Sequence, residues 1–275
     1  MTARPRYRVS LHLNPMSYSA EQINELHTSL GEWAAREGKL SEALLSRAYK
    51  QERSRTLAAQ GFTRRMHTLI RCIEQVYELV PLADEKPSRQ GIDDAAIWLQ
   101  AFVINVYGAI DNLARIWVWE SGVQFKGKPI PSMYIGLTPD NTAVRGSLSE
   151  AMQEHLAGTN PWFGYLENYR HALAHRIPLY IPPKRMDDDA AKEWRRLEVE
   201  SFEALKARNF DLYDELMGQQ SQLGVFEPWM MHSYGPDKDD GTPVRFHPQM
   251  ICDLATVVEI GEKMLNELNT LPPEA

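Results

Sequence analysis

NPWFGYLENYRHALAHRIP, residues 160–178, is the stretch from which the rest of the chain can be read. Asn160 suits a helix N-cap, because its short side chain can accept a hydrogen bond from the N–H groups that a first turn leaves unpaired. Pro161 has its φ preset for the first helical position, and Pro178 lacks the N–H that a continuing helix needs. These signals predict a helix from Pro161 to Ile177. On it His171 and His175 lie one turn apart on one face, and Arg170 stands beside them with a guanidinium long enough to reach round the helix. Such a set suits a phosphodiester. Internal attack by a ribose 2'-hydroxyl needs a group of near-neutral pKa to move protons and a cation to hold charge on the phosphate. The same residues also have a structural reading, in which Arg170 pairs with Glu167 or another carboxylate and the histidines occupy the last turn, where the helix dipole favours them.

Outward from this helix the chain reads as helical almost throughout. A first helix starts near Ser19 and is expected to stop at Gly38, packing through Ile23, Leu26, Leu30 and Trp33. A long helix follows from Ser41 to Val80, with Gly61 as its weak point. Ser88 to Glu120 forms another, capped by Ser88 or Asp93 and ended by Gly122. Its Trp98, Phe102, Val106, Ile110, Leu113 and Trp117 recur at three- and four-residue steps. Asn105, Gly108 and Asn112 share one face of it, and buried amides need partners. Asp111 or Asn112 holding Arg170 or His175 is one solution, and an ordinary interhelical hydrogen bond is the other.

Residues 125–147 carry loop signals, and 149–157 a short helix. After His175 the prolines of RIPLYIPP impose an extended stretch. Asp189 to Met217 then reads as one helix, Glu227 to Tyr234 with Thr242 to Pro248 as a small hairpin, and Met250 to Leu268 as the last helix. Arg8 to Leu13 is read as a short extended arm. The fold class is therefore all-α, a multi-helix bundle with long loops, and residues 1–275 are read as one domain.

The 275 residues carry a formal charge of −7, which argues against a basic coat for duplex DNA but leaves room for a local basic cleft. Between Leu45 and Gln75 the sign reverses: Arg47, Lys50, Arg53, Arg55, Arg64, Arg65 and Arg71 stand against Glu52 and Glu74. This stretch is a candidate RNA-binding surface, or else a solvated helix face paired with acidic neighbours. Cys72 and Cys252, far apart in apolar helical sequence, read as reduced and buried, which with the lack of an apolar segment of membrane or signal length suggests a cytoplasmic protein. His171 and His175 with Glu167 have metal-ligand spacing, but no HExxH or cysteine cluster accompanies them. Neither a dinucleotide fingerprint, a phosphate loop nor a nucleophile elbow occurs, so no cofactor is expected.

Arg170, the polar His171, a spacer and His175 resemble the motif of the HEPN superfamily, the higher eukaryotes and prokaryotes nucleotide-binding helical domains. Residues 106–117, VYGAIDNLARIW, also resemble a segment of uncharacterised bacterial members of that group. The resemblance implies a helical bundle that forms a homodimer with two motif copies facing one cleft. It further implies metal-independent endoribonuclease activity on single-stranded or structured RNA, leaving 2',3'-cyclic phosphate ends, or a noncatalytic RNA- or protein-binding module. Arg170 and His175 would then be the central pair and His171 the variable polar partner, with Glu167, Asp111 and Asn112 in support and an antitoxin or regulatory protein as a further partner. The toxin version of the motif carries a tyrosine two residues after its histidine. Ile177 stands there in this chain and Tyr180 falls outside the spacing, so modification by a nucleotidyltransferase is not expected.

Overall fold

The computed structural model describes residues 18–84, 86–233 and 243–272. The expected arm at Arg8 to Leu13 lies outside them. Helix α1 (Ala20–Ser46) opens with a capping box in which Ser19 and Gln22 satisfy each other's backbone N–H groups. It does not stop at Gly38. A mid-helix glycine costs about 1 kcal/mol, whereas the residues just beyond it, Leu40 and Leu44, are fully buried and each contributes about 1.5–3 kcal/mol. Leu40 fits so closely against Gly261 that a Cβ there would lie 2.6 Å from it.

The break comes instead at 47–51, and Glu120 explains it. Its buried carboxylate accepts hydrogen bonds from the backbone N–H groups of Lys50 (2.9 Å) and Gln51 (3.1 Å), and it pairs with Arg47 at 3.5 Å. After this turn come α2 (Glu52–Thr56), a π-helical turn (Leu57–Thr63) and α3 (Arg64–Leu79). The weak point expected at Gly61 is this widened turn, which admits the Asn112 side chain to within 2.8 Å of where a Cβ would stand.

Central to the bundle is α4 (Arg89–Ser121), capped by the Ser88 hydroxyl and closed by Gly122 at φ 70°. Along its length α3, α10 (Phe246–Thr270) and α7 (Asn160–His175) pack against it, and α1 lies on α10. The loop expected at 125–147 contains more structure than its composition suggested. Strands β1 (Gln124–Phe125) and β2 (Lys128–Pro129) form a tight hairpin through Lys126 and Gly127, both at positive φ, and a short helix α5 (Thr142–Arg145) follows. Helix α6 (Glu150–Gly158) leads into α7.

Strand β3 (Ile177–Tyr180) pairs antiparallel with β4 (Trp229–Ser233), which pairs with β5 (Val244–Arg245), so the expected hairpin gains a third strand directly after the motif helix. The helix expected from Asp189 to Met217 is two: α8 (Asp188–Lys206) and α9 (Phe210–Gln220). Arg208 at φ 56° reverses the chain and Asn209 caps α9. This αα-hairpin has a small core of its own around Leu197, Ala204 and Leu216, and it leaves Phe202 and Phe210 exposed. No helix among the described residues is long and apolar enough to cross a membrane. Both cysteines are free. Cys72 is buried as expected, but Cys252 is exposed, on the outer face of α10.

Candidate functional site

Helix α7 is anchored through its first half. Asn160 does not cap it: the helix starts from Thr159, and the Asn160 side-chain oxygen accepts from Arg145 at 2.8 Å. Arg145 also donates to the Leu137 carbonyl at 2.7 Å, so the loop before the motif is tied to the start of its helix. Two residues on, the Trp162 indole donates at 2.8 Å to Asp253 of α10, which also accepts from Gln249 at 2.8 Å. Asp253 is only 1% exposed, and burial pushes its carboxyl up to about 7, against the pull of Trp162, Gln249 and Tyr165. The Tyr165 hydroxyl is buried facing the same carboxyl without completing a hydrogen bond of good geometry, and burial raises its pKa strongly. The pattern ICDLATVVEI, in which two carboxylates, Asp253 and Glu259, interrupt a largely apolar helical segment, is the signal in the sequence that could have drawn attention to Asp253.

Further along α7, Tyr169 is buried and stands edge-on to His232 of β4 at 4.4 Å. Burial, with Arg176 nearby, lowers the pKa of His232. Phe163, Leu166, Tyr169 and Ala172 form the inward face. The motif residues stand elsewhere on the helix. His171 and His175 are exposed on the outward face, and Arg170 lies half-buried at its edge, its guanidinium 4.4 Å from the ring centre of Tyr107 on α4. Burial raises the Tyr107 hydroxyl pKa, while Arg170 lowers it and Glu167 and Asp111 raise it. Arg170, Glu167 and Asp111 are thus gathered around Tyr107, whereas the two imidazoles are exposed to solvent.

Asn112 does not orient Arg170 or His175. Its side-chain oxygen accepts from Arg65 Nε at 3.3 Å, and that of Asn105 accepts from Arg65 Nη1 at 2.9 Å. The guanidinium lies in the notch left by Gly108, where a Cβ would come within 2.5 Å of its Cζ. The polar and small face read from α4 is therefore a seat for Arg65 from α3. Asp111 likewise binds Arg115, one turn along its own helix, at 2.9 Å. Among the described residues Glu167 and Arg170 form no ion pair.

Compared with known proteins, the chain matches no family model, no curated protein and no solved structure.

The basic stretch is not one uniform surface. Arg47 is drawn in by Glu120 and by the Leu268 carbonyl at 2.6 Å. Arg55 pairs with Glu52 at 3.5 Å and Arg71 with Glu74. Arg53 lies over the Trp119 ring at 4.7 Å, Arg64 is exposed, and Lys50 is half-buried. No three His, Cys, Asp or Glu among the described residues are grouped to hold a metal ion, and Glu167, His171 and His175 make no such group.

Proposed function

We propose that this chain is a HEPN-like, metal-independent endoribonuclease that acts as a symmetric dimer. What carries the reading is that α7 keeps all three motif side chains off the core. Arg170 forms no ion pair among the described residues, and both imidazoles are exposed. In the structural alternative Glu167 would neutralise Arg170. Arg170 rests on Tyr107 of α4 while the imidazoles are exposed, and a twofold axis would set the histidines of one copy opposite the arginine of the other and supply two such pairings at once.

In the reaction, His175 takes the proton of the 2'-hydroxyl as its oxygen bonds to phosphorus. The bond from phosphorus to the 5'-oxygen breaks, and His171 or the second copy's imidazole protonates that oxygen. Arg170 holds the charge gathering on the nonbridging oxygens, and the product is a 2',3'-cyclic phosphate. The test is incubation with mixed cellular RNA in excess EDTA, followed by analysis of product ends. Cyclic phosphate made by the wild type and not by His175→Ala supports the proposal, with helical content and dimer mass unchanged in the variant. Cleavage that EDTA abolishes counts against it, as does a monomeric mass at micromolar concentration.

A noncatalytic RNA-binding module is the second reading. It is favoured by the stacking of Arg170 on Tyr107, which holds the guanidinium against α4. RNA bound but left intact by the dimer would make this the conclusion.

A further inference from the structure

Helix α4 turns one face to solvent between α3 and α7. The residues along it, Ile97, Ala101, Ile104, Gly108, Asp111 and Arg115, alternate in steps of four and three and so lie in one line. Ile97 and Ile104 are 64% and 43% exposed, so the first half of this solvent-facing strip between α3 and α7 is apolar. From the α3 wall Arg65 reaches onto Gly108, and from the α7 wall Arg170 reaches onto Tyr107. Two guanidinium groups from different helices therefore rest on adjacent residues of α4.

How they are held matters more than their number. Arg65 is fixed by two amide oxygens, those of Asn105 and Asn112, and Arg170 by an aromatic ring. Neutral partners orient a cation without cancelling its charge, and Arg65 uses only two of its five N–H donors on them. Of the carboxylates facing the strip, Asp111 is already occupied by Arg115 at 2.9 Å, leaving Glu167 against Arg65 and Arg170.

We infer that this strip is a channel for single-stranded RNA, in which Arg65 and Arg170 contact backbone phosphates and the apolar half meets the bases and riboses. Phosphate contacts on the walls with an apolar floor suit a single strand, whose bases are free to turn inward. The channel joins the basic stretch containing Arg64 and Arg65 to the helix that carries the histidines. The inference rests on the RNA reading above, and it adds Asn105, Gly108 and Asn112 as the parts that seat Arg65 at the entry.

Arg65→Gln tests it, because the glutamine amide can still donate to one of the asparagines while the charge is gone. Binding is measured by fluorescence anisotropy with a labelled short single-stranded RNA over a salt series, and in parallel with inorganic polyphosphate. Loss of one phosphate contact should weaken RNA binding on the order of 10-fold and flatten the slope of log K against log salt by about 0.7. If Arg65→Gln loses its cooperative thermal melt, Gly108→Ala replaces it, since this variant keeps the charge but pushes the guanidinium from its notch. RNA binding with an unchanged slope overturns the channel and leaves the RNA reading standing. Arg65-dependent binding of polyphosphate without any binding of RNA overturns RNA as the occupant and keeps a polyanion channel. Failure to bind either overturns both.

Discussion

Replacing Asp253 by Asn should turn a pH-sensitive anchor of the motif helix into a pH-insensitive one. The Asp253 carboxyl is buried against α7, and in the fold its pKa rises from 3.8 to about 7. In the unfolded chain it ionises near the ordinary aspartate value of about 4. As pH rises, the unfolded chain gives up the proton first, so this group's contribution is complete below about pH 4 and is lost progressively until about pH 7. At 1.36 kcal/mol per unit, the shift of about three units amounts to roughly 4 kcal/mol. Asparagine keeps an oxygen for Trp162 and Gln249 and does not ionise. The stability of Asp253→Asn relative to the wild type should therefore improve by roughly 4 kcal/mol between about pH 4 and about pH 8, or on the order of 10 °C in Tm. Thermal melts followed by circular dichroism at matched ionic strength measure this difference. His247 is buried with its pKa lowered to about 4; it titrates in both proteins, so its effect cancels. A gap in Tm that stays constant across the range would refute the reasoning, because it would mean that Asp253 is ionised and satisfied in the fold.

Glu120→Ala should cost about 3–5 kcal/mol in urea denaturation, since it leaves two backbone N–H groups without their acceptor and Arg47 without its carboxylate; a loss below 1 kcal/mol would show that the 47–51 turn does not depend on it. Leu40→Ala should cost about 2–5 kcal/mol by opening the contact with Gly261, and a near-neutral result would mean that α1 frays beyond Gly38. Removing α8 and α9 and closing the chain with a short glycine linker should leave a cooperative melt of the remaining bundle. The flanking Arg185 and Val225 already exchange backbone hydrogen bonds of 2.7 and 2.9 Å, and the hairpin keeps a core of its own. Loss of the cooperative transition would make the hairpin part of the main folding unit.

Where a signal acts within a few residues, the sequence alone determined the outcome. Ser88 and Gly122 bound α4, the apolar steps along α4 and α10 select their buried faces, and the prolines after His175 stop the motif helix, because caps and periodicity depend on local backbone chemistry. Gly38 and residues 47–51 mark the limit. Local propensity puts the break at the glycine, but Leu40 and Leu44 find a core on α10, while Glu120, about 70 positions away, takes the N–H groups of the turn between α1 and α2. The polar face of α4 was legible as a need for partners, yet its partner is Arg65 and not the motif helix. Which guanidinium reaches a notch depends on how α3 and α7 lie against α4. The motif residues are named by their spacing, but whether Arg170 and His175 can meet one phosphate is a question of direction. A helix sends neighbours at different angles to different surfaces, so only the tertiary structure turns Arg170 onto Tyr107 and leaves the imidazoles facing outward.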